Sequence, residues 1–553
     1  MLVNSLLMLK KIYTLTNRSY DKVLLLFLLL SLFWLKEINY LFYDINESPD
    51  FSKYFVYFEH FFSNTFTGHE HGLLYYYLHS IHLHTFFQNQ PSLDLAIHKS
   101  VLDVNFYMFV VGLLGIFKLL KLFKFSNKSI FMTLIFLNLF PPSIAMRLVF
   151  KPELLAFSLF PWIIYLLEKY KESKNNVYLI MAVPIVISTI TLKGNILVIT
   201  CVYLLISNYK IFSMLQFKTI AYFSFVFITL FTLLTIENNR ANGKNILDIQ
   251  SGASQEANYD FKAPKSIVYK TDMYELFSNP IKHKHADSFI AITLLETNGD
   301  YFDLYWDNDA SQYFKSRLEF LVFEQSNELK FPNLNFEDKT LIVYQQRSTD
   351  VYLYETIALI LSILLFSSLI NAILSSKKYR IYLIAIFIGM GVILIHAITG
   401  YPTNNFDPLV GDTFKPLYYS FVMLFSVSFM ISIFAEKNSF KTRHLLLYCL
   451  LIVFILGFPK NDYSEVDGSF VQKIENSIFC EYEKNIYLEN TIHSNLVCKK
   501  ISELTNTHFF ISDIFHKPVN LFLIFANFVV LTFLLLENNL AFFSSKRKFI
   551  KDN

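Results

Sequence analysis

The chain has 553 residues, of which 54% are hydrophobic and 18% aromatic, while only 17% are charged and the formal net charge is +3. Soluble domains carry roughly 45–50% apolar and about 25% charged residues, and the apolar residues here come in blocks long enough to cross a bilayer as helices. A soluble globular protein is therefore excluded. The cations do not cluster beside base-stacking aromatics, so nucleic acid is not an expected partner.

In chain order, the hydrophobic blocks predict membrane-spanning helices near 22–42, 101–121, 129–146, 154–168, 177–191, 195–208, 218–237, 354–374, 381–399, 417–435, 445–458 and 519–537. The expected fold class is thus an all-α polytopic membrane protein with about twelve transmembrane helices, each needing roughly 20 residues to cross. The leader before residue 22 has no small-residue cleavage site after its apolar run, so the first span is expected to be retained. Lys and Arg fall in alternate connections, among them Lys10, Lys11 and Arg18, Lys118 to Lys128, Lys169 to Lys174, Lys377 to Arg380, and Lys546 to Lys551. Under the positive-inside rule this puts both termini in the cytoplasm.

The polar segments 43–100, 238–353, 400–416 and 459–518 then lie outside. The expected organisation is a first transmembrane module at 1–237 that carries the outer loop 43–100. A small mixed extracytoplasmic segment follows at 238–353, then helices across 354–458. An outer loop at 459–518 leads to a last helix and basic tail at 519–553. No Walker loop, HExxH or GxSxG occurs, so the motifs of ATP-driven transport, zincin proteolysis and α/β-hydrolase chemistry are missing.

The chemistry is sought outside the membrane. The first outer loop opens with Asp44, Glu47 and Asp50 and continues through Lys53, Tyr54, Glu59 and His60 to Glu70-His71-Gly72-Leu73-Leu74-Tyr75-Tyr76-Tyr77. On composition alone the acids read first as solvated loop residues. A carboxylate just past a span can also serve an amphiphilic substrate, by deprotonating a hydroxyl or holding a cation. The turn Arg147-Leu-Val-Phe-Lys151-Pro152-Glu153 joins two spans, and Lys193 stands against the positive-inside bias between two more. Ionisable residues there either snorkel or face a site. Seven histidines crowd residues 60–98. His79, His82 and His84 are spaced so that one helix face cannot use all three, and hydrogen bonding along an amphipathic outer helix is expected rather than a zinc or manganese site. In the large loop Glu296 to Asp309 mixes acids with aromatics, as sugar sites and folded loops both do. Cys201 and Cys449 sit in spans, whereas Cys480 and Cys498 share an outer loop and are candidates for a disulfide.

The stretch Pro49-Asp50-x-x-x-Tyr54, followed by Glu70-His71-Gly72-Leu73-Leu74-Tyr75-Tyr76, resembles the first outer loop of GT-C glycosyltransferases. The dolichyl-phosphate-mannose mannosyltransferase-like bacterial group, with the lipid A aminoarabinose transferases, is the nearest in pattern. That family's loop carries a second acid where this chain has Phe51, and Pro-Pro where it has Gly72-Leu73. The resemblance spans about the first 200 residues, and beyond them only the helix layout is similar. It implies a GT-C-like fold in a bacterial inner membrane. It also implies transfer of a sugar from a polyprenyl-phosphate donor to a lipid- or glycan-linked acceptor, with membrane lipids as the other partners and no cofactor. Asp50 and Glu153 would be the catalytic pair. Tyr54, Glu70, His71, Tyr75, Arg147, Lys151, Lys193 and Lys415 would bind substrate. Phe51 weighs against a divalent cation held by an acidic pair. A twelve-helix transporter or flippase and a non-catalytic GT-C-like scaffold are the competing readings.

Overall fold

The computed structural model describes residues 72–86, 93–148, 150–214, 217–242, 268–278, 280, 285, 288–298, 336–399, 416–436 and 518–551. Every regular element among the described residues is helical. That follows from the apolar runs, since a chain in lipid must pair its backbone N–H and C=O groups internally.

The elements in order are α1 (Leu74–Phe86), α2 (Leu93–Leu122), α3 (Asn127–Leu139), α4 (Pro141–Leu148), α5 (Glu153–Ser173), α6 (Asn176–Ile190), α7 (Gly194–Met214) and α8 (Phe217–Asn242). There follow α9 (Met273–Ser278), α10 (Phe289–Asn298), α11 (Phe336–Ser375), α12 (Arg380–Leu383), α13 (Ala385–Thr399), α14 (Ser420–Glu436) and α15 (Pro518–Lys551). Short 3-10 turns at Lys377–Tyr379 and Pro416–Tyr419 lead into α12 and α14.

Among the described residues five stretches are long and apolar enough to cross a membrane: Ser100–Leu122, Glu355–Ser375, Lys377–His396, Pro416–Glu436 and Pro518–Leu535. They coincide with the spans expected at 101–121, 354–374, 381–399, 417–435 and 519–537. Those expected at 22–42 and 445–458 lie outside the described residues. The block at 129–146 is two helices rather than one. Phe140 takes an extended backbone, φ −69° and ψ 124°, as a residue before proline tends to, and Pro141 then starts α4. Helices over 176–190 and 194–208 are apolar but short, and α7 is interrupted at Asn208, where φ is −126°. α11 begins at Phe336 and continues unbroken past residue 354.

The core forms around α2, α5 and α14. Gly112 lets α2 lie against α5, since a Cβ there would stand 2.5 Å from the Phe157 ring. Across that contact Ser158 donates to the Met108 carbonyl at 2.6 Å and the Trp162 indole to the Val111 carbonyl at 3.0 Å. Such bonds spend polar groups where no water is at hand. α14 closes on α3 through Thr133 and Ser432, 2.7 Å apart. At its end the Glu436 carboxylate accepts from the Ser126 amide at 3.1 Å and the Ser129 hydroxyl at 2.6 Å. It thereby places negative charge on the start of α3.

The last helix is fixed at three levels. The buried Glu237 carboxylate accepts from the backbone of Val519 and, at 3.0 Å, from that of Asn520. Midway, Asn527 donates to the Ser188 hydroxyl at 2.7 Å. Towards the other end the Lys118 ammonium donates to the Leu534 carbonyl at 2.8 Å. The carboxylate at the helix start matches the helix dipole.

Candidate functional site

Two helix starts carry the ionisable residues. Pro152 initiates α5, with Glu153 in its first turn, where the positive end of the helix favours a carboxylate. Lys193 immediately precedes α7, which opens at Gly194. Lys151, Glu153 and Lys193 are all buried. The Lys193 ammonium donates to Glu153 Oε1 at 2.7 Å, across 40 residues of sequence.

Above this pair lies Tyr418, from the turn that leads into α14. Lys193 Nζ is 4.4 Å and Lys151 Nζ 5.8 Å from the centre of its ring, so both cations meet one aromatic. Asn195 holds the turn in place, donating Nδ2 to the Tyr418 carbonyl at 2.9 Å. Among the described residues two cations thus stand with one carboxylate at the first turns of two helices, whose leading amides add partial positive charge. The arrangement favours an anion.

α1 delivers Tyr75 to the same place. Gly72 donates its amide to the Leu192 carbonyl at 2.8 Å, which lays the start of α1 on the turn before Lys193. The Tyr75 hydroxyl donates to Asn105 Oδ1 at 2.8 Å. Burial pushes the Tyr75 phenol well above its ordinary range, and the charge of Glu153 adds to that. Asn105 in turn donates to the Arg147 carbonyl at 3.0 Å, tying α1 and α2 to the end of α4.

The structure therefore brings Tyr75, Lys151, Glu153 and Lys193 together. It aims Arg147 elsewhere. The Arg147 guanidinium lies 4.7 Å from the centre of the Phe109 ring and donates to the carbonyls of Ser143 at 3.1 Å and Asn138 at 2.8 Å. Asp50, Tyr54, Glu70, His71, Lys415, Cys480 and Cys498 fall outside the described residues. Of the acid-and-aromatic segment only Glu296 to Asn298 is described. These residues end α10, with Glu296 buried and Asn298 donating to the Ser362 hydroxyl at 2.9 Å.

The sequence reading missed Asn195, Asn105 and the ring of Tyr418 as site residues. Asn195 carried one signal, its place two residues after Lys193. The expected amphipathic outer helix resting at the interface is α1, most of whose residues are buried and which packs on α2. The histidines there do form hydrogen bonds. His79 has two acceptors before it, the Tyr75 carbonyl 2.8 Å from Nδ1 and Asn105 Oδ1 3.1 Å from Nε2, and the neutral ring donates to one of them; His82 lies 3.1 Å from the Ser100 hydroxyl. Among the described residues no group of three His, Cys, Asp or Glu side chains could hold a metal ion.

Burial lowers the His79 imidazole from 6.5 to about 4. The folded chain then stays neutral at this position while the unfolded chain takes up a proton as pH falls through 6.5. Stability is expected to be full above pH 6.5 and to decline towards pH 4, by about 3 kcal/mol over the window. Unfolding of purified protein against pH, compared with His79→Gln, checks this. The variant should lose most of the slope.

The described part of the chain is thus a helical protein with several membrane-length helices and a buried, cation-rich site at two helix starts. Against family models, curated proteins and solved structures the chain has no match.

Proposed function

We propose that the chain is an integral-membrane glycosyltransferase of the GT-C kind, transferring a sugar from a polyprenyl-phosphate donor to a lipid- or glycan-linked acceptor. The observation that carries the reading is the meeting of Lys151 and Lys193, from distant segments, on the ring of Tyr418 with Glu153 paired beneath them. Fixed cations in a site shut off from water stabilise a departing phosphate far better than water does.

In this reading Asp50 takes the proton of the acceptor hydroxyl. The acceptor oxygen bonds to the anomeric carbon, the bond from that carbon to the phosphate oxygen breaks, and its electron pair leaves on the polyprenyl phosphate. Lys151 and Lys193 take up that negative charge, and Glu153 orients Lys193. Tyr54, Glu70, His71, Tyr75 and Lys415 are assigned to substrate binding in this reading, Lys415 preceding in sequence the turn that bears Tyr418. The alternation of Lys and Arg supports both termini being cytoplasmic in a bacterial inner membrane, with the site at the outer face.

The test is transfer of labelled hexose from a polyprenyl-phosphate hexose in liposomes containing the full chain and membrane lipid acceptors. Asp50→Asn should lower the rate by about 10²–10⁴, as loss of a general base does. Unchanged transfer by that variant removes Asp50 from the mechanism, and no transfer by the wild-type chain removes the reading.

A further inference from the structure

Two acceptor atoms beside the Lys193–Glu153 pair have no donor among the described residues. Glu153 is fully buried and uses Oε1 on Lys193, while its Oε2 meets no donor. Asn195 is only 3% exposed, and its Nδ2 donates to the Tyr418 carbonyl at 2.9 Å. Turning the amide over would set oxygen against oxygen, so this bond fixes which way the amide faces. Its Oδ1 is then left buried without a donor. Buried acceptors are almost always satisfied, because one that is not has lost its water for nothing. Both atoms are closed to bulk water, so a donor meets them only as an enclosed water or as a ligand group that takes that water's place.

The surroundings say what kind of donor. Lys193 and Lys151 approach the same Tyr418 ring, so an ammonium or guanidinium arriving beside them would be repelled. A neutral hydroxyl is not. The same two cations attract an anion, and a hydroxyl that reaches Glu153 Oε2 or Asn195 Oδ1 must lie within a few bonds of it.

We propose that Asn195 is a specificity-determining residue which, together with Glu153, accepts hydrogen bonds from hydroxyl groups of a phosphate ester held by Lys151 and Lys193. The inference rests on the phosphate-binding reading above and adds the requirement that the ester be hydroxylated close to its phosphate. It assigns Asn195 a task that a purely structural residue at the Tyr418 turn would not have.

The experiment uses the purified full-length chain in detergent micelles, titrated calorimetrically with two probes. Glycerol 1-phosphate and n-propyl phosphate share the phosphate monoester and differ only by two hydroxyls. The wild-type chain should bind glycerol 1-phosphate at least about tenfold more tightly, the scale of one hydrogen bond to a charged or well-fixed acceptor. Asn195→Leu and the smaller Asn195→Ala should bring the two affinities together; the readout is the ratio of the two, because loss of the bond to the Tyr418 carbonyl lowers both alike. Equal binding of both probes by the wild-type chain overturns the inference and leaves the phosphate site standing, and this comparison needs no variant to fold. A preference that persists in both variants overturns the role of Asn195. Binding of neither probe overturns the phosphate reading and the inference with it.

Discussion

Replacing Lys193 with methionine is expected to lower stability by about 3–5 kcal/mol, the usual cost of stripping one partner from a buried ion pair. Methionine keeps the length of the stem and removes the ammonium. Glu153, fully buried and bonded through Oε1 at 2.7 Å to that ammonium, would be left as a lone carboxylate, or would have to take up a proton to remain inside. Coulomb attraction between the partners counts for much here because neither is exposed to water. The companion variant separates charge from packing. Adding Glu153→Gln to Lys193→Met removes the stranded charge and should recover most of the loss, since replacing both members of a buried pair is often close to neutral. Equilibrium unfolding of the wild-type chain, the single variant and the double variant in one detergent measures this. If the double variant is no more stable than the single, the pair is not the electrostatic unit described.

The second large effect is expected at Gly72. A Cβ built on Gly72 would stand 1.9 Å from the carbonyl oxygen of Thr191, well inside contact distance and against backbone that cannot swing aside. Gly72→Ala must therefore push the start of α1 off the turn before Lys193 and weaken the 2.8 Å bond from the Gly72 amide to the Leu192 carbonyl. Overpacking of this kind costs about 1–3 kcal/mol, occasionally more. Because the same turn positions Lys193, the proposed transfer activity should fall along with stability. Gly391→Ala is the control. It lies in α13 with nothing within 4 Å of an added Cβ, and alanine there should be neutral or stabilising by about 0.5–1 kcal/mol. Similar losses in the two variants would show that the close approach at Gly72 is not what fixes α1.

These two positions also mark how far the sequence could be read. Lys193 stood out because it falls in a connection that the alternation of Lys and Arg otherwise leaves free of cations, and Lys151 and Glu153 because they flank a proline at an expected span boundary. Local signals of that kind survive folding. Gly72 was legible only as a departure from the Pro-Pro of the GT-C loop. Its physical reason, the carbonyl of Thr191 directly beside it, belongs to a segment some 120 residues away. Asn195 and Tyr418 were hidden for the same reason, since their bond joins residues 223 apart. Arg147 was legible as a cation near the site, but the direction of its side chain was not. It turns back onto the Ser143 carbonyl one helical turn earlier and onto the Phe109 ring. The break at Phe140 was missed because a hydropathy window averages over apolar residues and does not register two successive prolines as the end of a helix. The long spans around α11, α14 and α15 posed no such difficulty, because each is one uninterrupted apolar helix.

The central claim is that Lys151 and Lys193 hold the phosphate of a polyprenyl carrier. Native mass spectrometry of the full chain released from micelles that contain a polyprenyl phosphate tests it most directly. Lys151→Gln is the informative variant, because Lys151 lies 5.8 Å from the Tyr418 ring without being the cation bonded to Glu153. The wild-type chain should retain one lipid phosphate, and Lys151→Gln should lose at least about tenfold in retention, the scale of one charge-assisted hydrogen bond. Equal retention by both proteins, or none by the wild-type chain, would contradict the claim.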